Sequence, residues 1–61
     1  MATTSELLRR LRRAGFRLVE NGSRHDIYEH QATGRRVIVP RHKREMPNGT
    51  YRAILKDAGL D

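Results

Sequence analysis

The chain contains no cysteine, which excludes disulfides, thiolate-bound zinc and a thiol nucleophile. Long hydrophobic runs are missing too. The longest, such as Val37-Ile38-Val39, are three residues. That excludes a membrane-spanning helix and the apolar segment of a secretory leader. Aromatic residues are scarce: Phe16, Tyr28 and Tyr51 are the full set. So few argue against a dedicated platform for stacking successive single-stranded bases. Acidic residues are outnumbered, with seven Asp and Glu against thirteen Lys and Arg, for a formal net charge of +6. Eleven of the thirteen cations are arginines; only Lys43 and Lys56 are lysines. The planar guanidinium presents a fork of donors that suits phosphate oxygens. A positive balance does not choose a fold, but it biases partners toward polyanions. With neither leader nor span nor cysteine, the expected setting is the cytoplasm. At 61 residues the chain is read as a single domain, 1–61. A chain this short buries only about 60% of the surface that its unfolded form exposes, so its core must be thin. The hydrophobic fraction of 36% still lifts it out of the disordered class.

What is present is strongly patterned. Thr3-x-x-Glu6 is a capping-box signal. Leu7, Leu8, Leu11 and Ala14 recur at helical spacing before Gly15, which predicts a helix over residues 4–14. Arg9, Arg10, Arg12 and Arg13 fill its other faces. Phe16 to Glu20 is rich in strand formers, and Asn21-Gly22 is the strongest turn dipeptide in the chain. A second strand is expected from Arg24 to His30, a turn at Gln31–Gly34, and a third strand over 35–39 closed by Pro40. Residues 41–48 read as a basic loop. A second helix is expected from about Asn48, with Asn48 as its cap and Gly59-Leu60 as a Schellman-like stop. Short turns make the three strands antiparallel. Two helices must then cover one face of the sheet to form any core. The predicted class is α+β, in the order α-β-β-β-α, laid out like a double-stranded-RNA-binding domain.

Groups able to do chemistry are few. His25 and His30 are five residues apart on one predicted strand, so alternation sends them to opposite faces. His42 lies in the basic loop, and neither a cysteine nor a carboxylate pair completes a metal-ligand set, so no metal site is expected. Asp26 and Glu29 also take opposite faces, and whether Glu20 meets the second strand depends on a register that the sequence leaves open. Ser23 and His25 share parity, but two strand residues separate them by about 6.6 Å, and no glycine elbow surrounds the serine. A histidine in a basic surface has a different use. RNA carries its own nucleophile in the 2′-hydroxyl, histidine titrates near neutrality, and arginines stabilise charge on the phosphate. His25 has Arg24 beside it, with Arg35, Arg36, Arg41, Lys43 and Arg44 following closely. The plainer reading treats His25 as a structural or merely exposed residue and the arginines as a solvated face. Tyr28 has the parity of Asp26 and His30, which suits either core packing or base stacking.

Three segments together are more specific. Gly22-Ser23-Arg24-His25-Asp26-Ile27-Tyr28, then Val39-Pro40-Arg41-His42, then Gly49 to Leu60, resemble the HicA family of toxins from bacterial toxin–antitoxin modules. The resemblance runs from Leu7 to Leu60. It implies a small cytoplasmic ribonuclease of double-stranded-RNA-binding-like fold that cleaves mRNA without a metal, and a HicB antitoxin that covers the active site. It implies that the histidine following the glycine–serine pair, here His25, is the active-site residue. Many relatives carry two adjacent histidines there, and Arg24 stands in place of the first. His42 matches a recurrent histidine to which no catalytic role is carried over.

The resulting expectation is a metal-independent endoribonuclease that needs no cofactor. His25 serves as general acid or base, and Arg24, Arg41, Lys43 and Arg44 dock backbone phosphates. Two alternatives use the same charge: a non-catalytic RNA-binding module, and an interaction protein whose cations exist only for an acidic partner. Docking of the basic first helix on a membrane surface is disfavoured, because the thin core needs its few apolar residues.

Overall fold

The computed structural model describes residues 1–41 and 43–61. Its elements run β1 (Ala2–Thr3), α1 (Thr4–Arg13), β2 (Phe16–Asn21), β3 (His25–His30), β4 (Arg36–Pro40), β5 (Glu45–Met46) and α2 (Asn48–Asp57). Strands β2, β3 and β4 form an antiparallel sheet in that spatial order, the expected meander. Among the described residues no helix is long and apolar enough to cross a membrane.

Each helix begins and ends for a local reason. The Thr3 hydroxyl accepts the backbone N–H of Glu6 at 3.1 Å, satisfying one of the free donors at the start of α1. Gly15 ends it with φ 102°, a conformation that disfavours any side chain. A Cβ there would also come within 3.1 Å of the His30 ring. At the end of α2, the Leu60 N–H donates to the Leu55 carbonyl at 2.9 Å and the Gly59 N–H to Lys56 at 3.0 Å, the Schellman pattern anticipated above. Arg35 Nη1 donates to the last carbonyl of α2, that of Asp57, at 2.9 Å. A cation there also suits the negative end of the helix dipole.

The helices bury Leu7, Leu11, Ile54, Leu55 and Ala58 against Phe16, Tyr28, Val37 and Val39 of the sheet. Tyr28 therefore packs in the core. All of this lies on one side. Ile38, between two buried valines, is 60% exposed on the other. The sheet thus has a covered face and an open face, as a chain with only two helices requires.

Three local expectations need correction. Residues 41–48 are not simply a loop: β5 pairs with β1 through Ala2↔Met46 and Thr3↔Glu45. Met46 is thereby buried to 1% exposure, a core residue with no periodic neighbours to announce it. Pro47, not Asn48, caps α2, and among the described residues no side chain bonds its first N–H groups. The β2–β3 turn falls one register later than Asn21-Gly22 suggests. Asn21 still pairs with Asp26, and the Gly22 N–H donates to the His25 carbonyl at 2.8 Å, leaving Ser23 and Arg24 as the turn. Gly22 is required by space rather than by a positive φ. A Cβ there would lie 2.3 Å from the His25 carbonyl oxygen.

Two predictions follow from this packing. Met46→Ala lowers the unfolding free energy by about 2–5 kcal/mol, whereas Ile38→Thr on the open face changes it by about 0.5 kcal/mol or less; urea titration of both separates the buried from the exposed position. Gly22→Ala forces the turn apart and costs about 1–3 kcal/mol, as overpacking against backbone does. The same titration reads that loss.

Candidate functional site

Alternation along β3 divides its residues cleanly. Asp26, Tyr28 and His30 turn toward the covered side, opposite Val39, Val37 and Phe16. His25, Ile27 and Glu29 turn to the open side, opposite Pro40, Ile38 and Arg36. The two described histidines accordingly do different things. His30 is half-buried with its ring edge on Phe16, centroids 5.1 Å apart at 82°. Its Nδ1 accepts the backbone N–H groups of Ala32 and Thr33 at 3.1 and 3.3 Å. It organises the β3–β4 turn. His25 is exposed at the first position of β3. The separation argued from spacing is what the strand produces.

His25 lines a shallow concavity with Glu20, Gly22, Ser23, Arg24, Ile27 and Ile38. Its floor is the apolar pair Ile27 and Ile38, which are direct cross-strand partners. Its rim is the Ser23–Arg24 turn. An imidazole is therefore presented to solvent beside an exposed guanidinium, above an apolar floor. This arrangement can hold an anionic backbone against an acid–base group.

The four expected phosphate-docking residues occupy two places. Arg24 sits in the turn next to His25 and is exposed. Arg41 adjoins it, for its backbone N–H donates to the Arg24 carbonyl at 2.8 Å. The Arg41 guanidinium is partly committed. Nη1 donates to the Gly22 carbonyl and lies 4.0 Å from Asp26 Oδ1. Among the described residues that oxygen is buried with no hydrogen-bond partner, so Arg41 supplies its countercharge while tying the turn to the end of β4. The Arg41 side chain keeps 37% of its surface exposed. Lys43 and Arg44 are exposed elsewhere, at the start of α1. Their carbonyls accept from the Thr4 hydroxyl and from the Thr4 N–H, the latter at 2.9 Å. They line a separate hollow with Thr3, Thr4, Ser5 and Leu8. His42 lies outside the described residues.

Two other arginines close to His25 in sequence are engaged elsewhere. Arg35 holds the end of α2, as described. Arg36 Nε donates to Glu29 Oε1 at 2.8 Å on the open face. This hydrogen bond and the Glu29 charge raise the pKa of the Arg36 guanidinium above its ordinary value. Glu20, whose register the sequence left open, is a further residue of the site. It lines the same concavity as His25, and only the strand register could place it there.

Comparison with curated proteins found no match. Comparison with family models found one whose description reads HicA toxin of bacterial toxin-antitoxin, matching residues 4–60. The match takes in every element from α1 to α2, the Gly22–His25 turn and both strands that flank it. The chain belongs to the HicA family of toxins from bacterial toxin–antitoxin systems.

Proposed function

We propose that this toxin is a metal-independent endoribonuclease that cleaves mRNA, with His25 as a general acid–base group, and that a HicB-type antitoxin neutralises it by covering the same surface. One observation carries the reading. The His25 imidazole is exposed on the helix-free face of the sheet, in a concavity it shares with Arg24. Family membership supplies the toxin role and implies an antitoxin; the substrate and the chemistry are argued from the site.

RNA docks by its phosphates on Arg24 and on the exposed edge of Arg41. Lys43 and Arg44 hold the strand further along. The 2′-hydroxyl attacks the adjacent phosphorus, the 5′-oxygen leaves, and the product strand ends in a 2′,3′-cyclic phosphate. His25 moves a proton in this step and the guanidinium groups stabilise the charge gathering on the phosphate. A positioned acid or base contributes about 10²–10⁴-fold, so a site of this size is a slow catalyst. Slow cleavage is sufficient to arrest growth. The formal charge of +6 favours an antitoxin with an acidic complementary face. This chemistry belongs in the cytoplasm, where mRNA is found.

His25→Ala, incubated with RNA in EDTA, is expected to lose about 10²–10⁴-fold in cleavage rate while keeping its RNA affinity. Cutting at the wild-type rate by this variant excludes His25 from the chemistry. Intact RNA with the wild-type protein, alongside measurable binding, leaves a non-catalytic RNA-binding module. Arg24→Ala is expected to weaken RNA binding and to lower the slope of log affinity against log salt by about 0.7, the value of one phosphate contact on a single strand. An unchanged slope removes Arg24 from the phosphate-docking surface.

A further inference from the structure

Strict alternation along β2 would send Phe16, Leu18 and Glu20 to the covered side and Arg17 and Val19 to the open one. The observed register departs from this. Leu18 pairs with Tyr28, but the next pair is Glu20 with Ile27. Val19 is the extra residue of a β-bulge. Such bulges re-aim a side chain and are over-represented beside active sites. Ile27 is on the open face, opposite the exposed Ile38, so Glu20 is on the open face as well. Two residues further along β2, the Gly22 N–H meets the His25 carbonyl. Glu20 and His25 are therefore diagonal neighbours across one antiparallel pair. Diagonal positions of this kind lie about 7–8 Å apart, within reach of long side chains. Both side chains line the same concavity.

The carboxylates of β3 are not available to that concavity. Glu29 is bound to Arg36 at 2.8 Å, and Asp26 points to the covered side beside Arg41. Glu20 itself is exposed.

We propose that Glu20 is the second acid–base group of the site, acting as the general base while His25 acts as the general acid. This rests on the ribonuclease reading above. The Glu20 carboxylate takes the proton of the 2′-hydroxyl as its oxygen forms the new bond to phosphorus. The P–O5′ bond breaks, its electron pair goes to the 5′-oxygen, and the His25 imidazolium gives that oxygen a proton. The products are a 2′,3′-cyclic phosphate and a 5′-hydroxyl, with Glu20 protonated and His25 neutral. Solvent restores both. A single histidine cannot accept one proton and hold another ready in the same step; two groups spaced across a strand pair can.

The test uses RNA carrying one bridging sulfur in place of a 5′-oxygen, because a thiolate leaves without a proton. On ordinary RNA, Glu20→Gln and His25→Ala are each expected to slow cleavage by about 10²-fold or more, Glu20→Asp to retain part of the rate, and Glu29→Gln to cut at the wild-type rate. On the sulfur-bridged linkage, His25→Ala recovers most of its lost rate and Glu20→Gln stays slow. Wild-type cleavage of ordinary RNA by Glu20→Gln overturns the inference and leaves the role of His25 standing. Recovery of Glu20→Gln on the sulfur-bridged linkage overturns the assignment of the base. RNA left intact by the wild-type protein overturns both the inference and the ribonuclease reading.

Discussion

A sheet with only two helices to cover it can bury one face, and this constraint organises the whole molecule. Each strand must divide its residues between a side that packs and a side that does not. Phe16, Tyr28, Val37 and Val39 meet the helices; His25, Ile27 and Ile38 are left facing outward. The core is thin, as expected of so short a chain, and it draws on elements as small as β5 for a buried methionine. That outward face is partly apolar, with a shallow concavity and titratable groups set along it.

The turn between β2 and β3 receives more structural support than its length suggests. Gly22 allows the His25 carbonyl to approach where a side chain would collide. Arg41 holds the Gly22 carbonyl from the end of β4 and gives the buried Asp26 oxygen its only close cation among the described residues. The backbone of Arg41 holds Arg24. Three separate strand ends are thus drawn together around the residue that carries the proposed chemistry. A group beside a two-residue turn would otherwise be mobile; here the backbone on either side of the turn is hydrogen-bonded.

Charge is allocated with similar economy. Of the arginines near His25 in sequence, Arg35 secures α2 and Arg36 is paired with Glu29. Among the described residues, Arg24 is the exposed cation at the concavity's rim, and Lys43 and Arg44 form a second basic region at the start of α1. For a member of the HicA toxin family, this places the expected phosphate-docking cations in two separate regions rather than on one continuous stripe.

Much of this was legible in one dimension. Helical spacing of Leu7, Leu11, Ile54 and Leu55 marked both helices, capping and stop signals marked both ends of α1 and the end of α2, and alternation placed His25 and His30 on opposite faces. These features depend on neighbours three or four residues away, or on a period of two, so the sequence by itself determined them. What required the tertiary structure was whatever depended on register. Met46 became core because a two-residue strand found β1 from across the chain. The turn slid past Asn21-Gly22 because hydrogen bonds with β3 extended β2 by a residue. Glu20 reached the face of His25 because a bulge at Val19 reversed the parity of everything after it. A one-residue slip in a strand inverts which side each side chain takes, and no local pattern in the chain records where such a slip occurs.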